Sequence, residues 1–339
     1  MSIVSKMGFS KVSLVVLFFF IGMTTFFVWW INKNVSWEIQ NMEMIPSPSP
    51  KPIWEKKVEI DQILKIGLIT DTHVHPNRID KNDKNDFAPR ILKGKHLDPF
   101  NKFNLQMAIF GPELIIHLGD IIEGTDDEDF VGIMGLKLVR DELAKNGVPV
   151  YWIVGNHDLR SVTKSQFLET LEIDSLNQVI DQGDYRLIIL DASYKKDGTD
   201  ISPGNGHIPG NINQNTIEWL EDKLKTEKRV FVFMHQAPLV KKDENGANIK
   251  NPISNSESLI KIFDKYNVEA VFNGHIELKS YIDADDVKYY SFPGTKKSDA
   301  YRNSFYELTI DKAIPQVRMF YTDQENGLDK SIDFEESNE

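Results

Sequence analysis

Aspartate, histidine and asparagine recur at the ends of five apolar runs in this chain, and their types and spacing suit the binding of paired cations. Residues 65–70 lead into Asp71-Thr72-His73, and residues 113–118 into Gly119-Asp120. Residues 148–154 lead into Gly155-Asn156-His157-Asp158, Arg229–Met234 into His235, and residues 268–272 into Asn273-Gly274-His275-Ile276-Glu277. Two divalent ions a few ångströms apart need a carboxylate to bridge them and further O and N donors to complete each shell. Such a pair lowers the pKa of a bound water and clamps the attacking and leaving oxygens of a phosphoryl group. Asp71 and His73 stand at i and i+2, as do His275 and Glu277, so extended backbone would present both members of each pair to one side. Gly119, Gly155 and Gly274 are expected to let the chain turn sharply where each strand stops.

Elements follow from the same runs. Short β-branched apolar stretches closed by Gly or Asp read as buried strands, and ligands of open α/β sheets sit at strand carboxyl ends. Five such endings describe one site. Helices are expected over residues 103–110, 127–145, 216–224 and Ser256–Lys265, where apolar positions recur at three- and four-residue intervals. Asp181-Gln182-Gly183-Asp184 reads as a hairpin turn between residues 177–180 and Tyr185–Leu190. After Glu277, residues 279–284, 287–292, 304–310 and 315–321 alternate or carry aromatics and suit antiparallel strands. Residues 77–104 form a long polar insertion of the kind that makes lids. Its Arg78, Arg90, Lys93 and Lys95 suit a phosphate, with a solvated loop as the competing reading. His75 and His207 are placed near the pocket or on a loop surface, His96 in solvent, and His117 in the packed second strand. Core and turn roles are the default for Tyr185 and Tyr194.

The series D-x-H, G-D, G-N-H-D, H and G-H resembles the signature of the calcineurin-like metallophosphoesterases over residues 60–321. Residues 184–191 and 206–220 are similar to the branch containing cyclic-nucleotide phosphodiesterases and purple-acid-phosphatase-like enzymes. The resemblance implies an α/β fold, a four-layer α/β/β/α sandwich with a dinuclear metal site at strand carboxyl ends. It implies that Asp71 and His73 hold the first ion, that Asp120 bridges, and that Asn156, His235 and His275 hold the second. His157 would stay off the metals and protonate the leaving oxygen or stabilise the transition state. Asp158 would orient that imidazole. The cofactors implied are two divalent ions, with Mn, Fe, Zn and Mg all compatible with O/N ligands.

One position departs from the pattern: the family usually ends in Gly-His-x-His, and here Glu277 stands at the last place. Glutamate can ligate and suits harder ions better than zinc. A weaker first site and a poorer preference for dianionic monoesters are expected; the competing reading leaves Glu277 in solvent with water in its place. The activity implied is hydrolysis of phosphomonoesters or phosphodiesters through a metal-bridging hydroxide with His157 assisting. The alternatives are a catalytically weak or silent binding protein on the same fold, and a pyrophosphatase or nuclease.

Composition bounds these readings. The 339 residues carry a formal charge of −12, which disfavours nucleic acid because phosphate backbones are held by Lys and Arg. With no cysteine, thiolate metal sites and disulfides are excluded. Residues 12–31 carry no charge and end at Trp29 and Trp30, matching the roughly 20 residues that span a bilayer. Lys6 and Lys11 precede the run, which favours a cytoplasmic N-terminus by the positive-inside rule. The expected organisation is a cytoplasmic tail at 1–11, a transmembrane signal anchor at 12–31, and a Pro/Ser-rich linker at 32–57. A catalytic domain at 58–322 follows on the outer side of the cell membrane, then an acidic disordered tail at 323–339.

Overall fold

The computed structural model describes residues 61–74, 98–124, 129–205, 208–295, 301–323 and 327–336. The apolar run 12–31, the linker, His75, His96, His207 and the basic residues of the insertion lie outside them. Contacts divide the chain into Met1–Pro52 and Ile53–Glu339, and all described residues belong to the second unit. Among the described residues no helix is long and apolar enough to cross a membrane.

Twelve strands are described, in chain order β1 (Ile63–Ile69), β2 (Leu114–His117), β3 (Val150–Trp152), β4 (Gln178–Gln182), β5 (Tyr185–Leu190) and β6 (Arg229–Met234). Then come β7 (Ala270–Asn273), β8 (Ser280–Ala284), β9 (Val287–Ser291), β10 (Tyr301–Asp311), β11 (Ile314–Asp323) and β12 (Asp329–Asp333). The helices are α1 (Asp98–Phe110), α2 (Asp129–Ala144), α3 (Asp158–Ser161), α4 (Lys164–Leu171), α5 (Gln214–Leu224) and α6 (Ser256–Lys265). The strands form two mixed sheets, ordered β12-β11-β10-β1-β2-β3 and β4-β5-β6-β7-β9-β8. Parallel pairs occupy β1-β2-β3 and β5-β6-β7-β9, and the other pairs are antiparallel.

The two-residue period of the strands decides which side chains face which layer. Leu64, Ile66 and Leu68 of β1 share one buried cluster with Leu187 and Ile189 of β5 and Phe231 and Phe233 of β6. That cluster lies between the sheets. On the outer face of the first sheet, Ile115 joins Phe103 and Met107 of α1, Val139 of α2 and Phe167 of α4. On the outer face of the second, Ile188, Val230 and Val232 join Leu220 of α5 and Phe263 of α6. Helices therefore cover both outer faces, as the resemblance implied.

Two features depart from the sequence-based expectation. Two short helices, α3 and α4, follow β3; α4 is started by a reciprocal cap between Thr163 and Gln166, which satisfies two otherwise free backbone donors. The late strands pair antiparallel as expected, β8 with β9 and β10 with β11, the first pair completing the second sheet and the second pair lying beside β1 in the first. The acidic tail expected from residue 323 is not structureless: β12 pairs antiparallel with β11, and Phe334 after it is buried in the inter-sheet cluster. An edge strand is held through backbone hydrogen bonds and needs little apolar content, so the polar stretch Asp329–Asp333 concealed it.

Candidate metal centre

Each expected ligand stands on the turn that ends a strand. Asp71 and His73 follow β1, Asp120 follows β2, Asn156 and His157 follow β3, His235 follows β6, and His275 follows β7. Since β1 to β3 belong to one sheet and β6 and β7 to the other, the donors reach one place from both. Three overlapping groups have ligand atoms within 4.8 Å of one another: His73–Asp120–His157, Asp120–His235–His275 and Asp71–His73–Glu277. Asp120 Oδ2 lies 3.2 Å from His235 Nε2, 3.8 Å from His73 Nε2 and 4.0 Å from His157 Nε2. His73 Nε2 is 3.7 Å from Asp71 Oδ1 and 3.3 Å from Glu277 Oε1. His275 Nδ1 faces His235 Nε2 at 3.3 Å.

The backbone that presents these groups is not the extended ladder anticipated from their spacing. Asp71, His73, Asp120, His275 and Glu277 take φ values of 49°, 45°, 50°, 66° and 51°. Left-handed backbone costs an L-residue roughly 1–2 kcal/mol. Thr72 turns the other way, its hydroxyl donating to the Ile121 carbonyl at 2.8 Å and meeting His117 Nε2 at 3.1 Å. Of the three glycines, only Gly119 uses a positive φ, at 102°. Gly155 and Gly274 serve closeness instead: a Cβ at the first would collide with Asp120 Oδ1, and at the second with Thr70 Oγ1 and Asp71 Oδ2.

Hydrogen bonds aim one atom of each group inward. Asp71 Oδ2 accepts from Thr70 Oγ1 at 2.6 Å and from the His275 N–H at 3.2 Å. Asp120 Oδ1 accepts from the His157 N–H at 2.8 Å. Nδ1 of His235 donates to the Leu118 carbonyl at 2.9 Å, which turns its Nε2 toward Asp120 Oδ2. Asp71 Oδ1, His73 Nε2 and both amide atoms of Asn156 are buried without a hydrogen-bond partner. Buried polar atoms are normally satisfied, and leaving one bare costs about 1–3 kcal/mol. Bare oxygen and nitrogen donors converging on one space fit divalent cations.

The electrostatics agree. Burial opposes charge on His73, but the Asp71, Glu123, Glu277 and Asp120 carboxylates outweigh it and raise its pKa well above the usual imidazole range. Burial also opposes charge on His235, yet Asp120 pushes it up to about 9. For Asp120, burial is overcome by His235, His157 and His73, which hold it well below the usual carboxylate range. The space between these groups favours positive charge.

His157 is held differently from the expectation. Its Nδ1 lies 2.8 Å from the Glu123 carbonyl oxygen and 3.1 Å from Arg160 Nη1. Burial lowers its pKa, with partial compensation from Asp120. Asp158 does not orient this ring: Oδ1 accepts from the Ile122 N–H at 2.9 Å and Oδ2 from the Gly155 N–H at 2.8 Å. Its carboxyl, raised to about 7 by burial and by Asp120, fastens the turn after β2 to the turn after β3. Glu123, which sequence reasoning missed, stands 3.3 Å from His73 Nδ1 and 3.7 Å from His157 Nδ1. The signal for it was a carboxylate three residues past Asp120 on the same turn. Tyr185 is buried in the inter-sheet cluster, and Tyr194 is buried against Thr216 and Lys164.

Donors from two sheets around a shared carboxylate define the centre of a dinuclear metallohydrolase. The chain belongs to the calcineurin-like phosphoesterase family, whose model matches residues 64–276; its members use two divalent ions and hydrolyse ester bonds. It is similar to a probable glycerophosphodiester phosphodiesterase of Arcobacter nitrofigilis, 28% identical over 202 residues covering 55% of this chain and 68% of that one. It is also similar to a 3',5'-cyclic adenosine monophosphate phosphodiesterase of Pseudomonas aeruginosa, 22% identical over 65% of this chain and 74% of that one. A dimetal phosphatase from Danio rerio shares the fold with a TM-score of 0.58 and 16% identity, over 80% of this chain and 99% of that one.

Proposed function

We propose that this phosphoesterase is a membrane-anchored phosphodiesterase whose catalytic unit lies outside the cytoplasm. The observation that carries the catalytic reading is the convergence of buried carboxylate and imidazole atoms from both sheets around Asp120. Asp71, His73 and Glu277 would hold one cation, Asn156, His235 and His275 the other, and Asp120 both. Bound divalent ions would supply Lewis acidity and an acidified water.

The remaining work falls to the chain. His157 presents Nε2 toward the cradle, while the Glu123 carbonyl fixes the opposite edge of the ring. Protonated, that nitrogen delivers a proton to the departing alkoxide; Asn156 steadies charge on phosphorus-bound oxygen. Three carboxylates, Asp71, Asp120 and Glu277, cancel most of the charge of two divalent ions. A monoanionic diester therefore suits the site better than a dianionic monoester. The two enzyme relatives named above both carry phosphodiesterase names. The anchor rests on the uncharged run 12–31 and its flanking lysines.

The test is a panel of generic mono- and diester substrates with Mn, Fe, Zn and Mg, using the chain from Trp54 onward. His157→Ala should keep its metals and lose roughly 10²–10⁴-fold in turnover. Normal turnover in that variant removes His157 from the reaction. A chain that binds no metal and hydrolyses nothing would return the reading to a silent binding protein. For the anchor, fractionation should place the full chain with membranes and leave residues 54–339 in solution.

A further inference from the structure

Arg160 stands on α3 beside Asp158, whose carboxylate ties that helix to the turns after β2 and β3. Its backbone N–H donates to the His157 carbonyl at 3.1 Å. Its stem lies against Gly124, where a Cβ would strike both that carbonyl and Arg160 Cβ. The half-buried side chain is thereby held next to His157, with Nη1 3.1 Å from Nδ1 of the ring. That contact satisfies neither group. The Glu123 carbonyl can only accept, so Nδ1 is the donor across their 2.8 Å, and a nitrogen that carries a proton offers Arg160 no lone pair. The Glu123 carboxylate is turned to the imidazoles instead, 3.3 Å from His73 Nδ1. Among the described residues Arg160 makes no ion pair. A guanidinium with uncommitted donors at the rim of a phosphoryl centre fits an oxyanion, which it can bind through two parallel N–H groups. Its place decides which one. His157 Nε2 meets the leaving oxygen in the reading above, and Arg160 lies at the other edge of the same ring, so the group within its reach belongs to the leaving alcohol.

We propose that Arg160 is a specificity residue that binds a tetrahedral oxyanion, such as a second phosphate, carried by the leaving alcohol a few bonds from the scissile oxygen. This rests on the phosphodiesterase reading above and narrows its substrate class to diesters with an anionic leaving arm. Water adds its oxygen to phosphorus, the bond to the leaving oxygen breaks, and the His157 proton goes to that oxygen. The products are a phosphate monoester and an alcohol that keeps its own anionic group.

The experiment offers the metal-loaded full chain three methyl phosphodiesters that differ only in the leaving arm: 3-phosphonopropyl, butyl and 3-(trimethylammonio)propyl. Methyl phosphate formation is followed by phosphorus NMR, and the phosphonate cannot itself be hydrolysed. In the wild type kcat/KM should be roughly tenfold higher for the phosphonate arm than for the butyl arm, and lowest for the ammonium arm. Added salt should shrink that preference. Arg160→Gln should bring the phosphonate-to-butyl ratio close to one, whereas Arg160→Lys, which keeps the charge but loses the fork, should retain part of it. A second measurement needs neither turnover nor a variant: 3-hydroxypropylphosphonate should slow phenylglyoxal labelling of Arg160, read by mass spectrometry of its peptide. Equal kcat/KM for the three arms in the wild type overturns the proposal. So does an undiminished ratio in Arg160→Gln, or labelling that the phosphonate leaves unchanged. If any of these occurs while the diesters are still hydrolysed, only the role of Arg160 fails. If no metal supports hydrolysis of any diester, the phosphodiesterase reading falls and this inference with it.

Discussion

Glu277 alters the charge a substrate meets as well as the metal it approaches. With its Oε1 3.3 Å from His73 Nε2, it adds a negative charge beside the first position. Glu277→His should therefore lower the ratio of diester to monoester hydrolysis, measured as kcat/KM on matched substrates; an unchanged ratio refutes the electrostatic account. His117 supplies a separate test at this scale. Its Nδ1 accepts from the Gly119 N–H at 3.2 Å, and its Nε2 meets the Thr72 hydroxyl, whose own proton goes to Ile121. A proton on Nδ1 would face a donor, and burial lowers the pKa to about 3. The unfolded imidazole takes up its proton near 6.5, so the stabilisation is complete above that pH and is lost as pH falls toward 3. Denaturation midpoints measured across that window should fall in the wild type and flatten in His117→Gln. The ligands were legible in the sequence because few residue types can do their chemistry. Glu123 and the left-handed turns were not, since both depend on where distant backbone comes to rest.

At the scale of elements, continuous apolar runs gave away the buried strands and three- and four-residue spacing the amphipathic helices: β6 and α6 begin and end where their apolar patterns do. Polar or short pieces gave no such signal. α4 is set by its capping box, α3 by an Asp158 carboxylate tied to the turn after β2, and β12 by pairing with an edge that the sequence does not advertise. The cost of misreading the tail is measurable. Phe334 packs on Phe292 at 5.1 Å between ring centroids, on Tyr290 at 5.9 Å and on Tyr306 at 6.1 Å. Phe334→Ala should destabilise the fold by about 3–5 kcal/mol, read from urea denaturation. A change within experimental error would show that the C-terminal strand contributes nothing to the core.

For the whole molecule, the donors come from both sheets, so cation binding and folding are linked. An ion that binds only the folded chain at a hundredfold excess over its Kd adds about 2.7 kcal/mol. Chelation should therefore lower the melting temperature by roughly 5–10 °C, recovered on adding metal back; scanning calorimetry decides it. An identical midpoint with and without chelator would show that the cradle binds no ion tightly. Bound ions would act as rivets through two plates. Asp71 and Asp120 hang from one sheet, His235 and His275 from the other. A slight shear between the sheets would pull the donors out of reach while each sheet kept its own hydrogen bonds. Loss of hydrolysis should then precede any loss of secondary structure, making turnover the most sensitive gauge of how firmly the sandwich is closed.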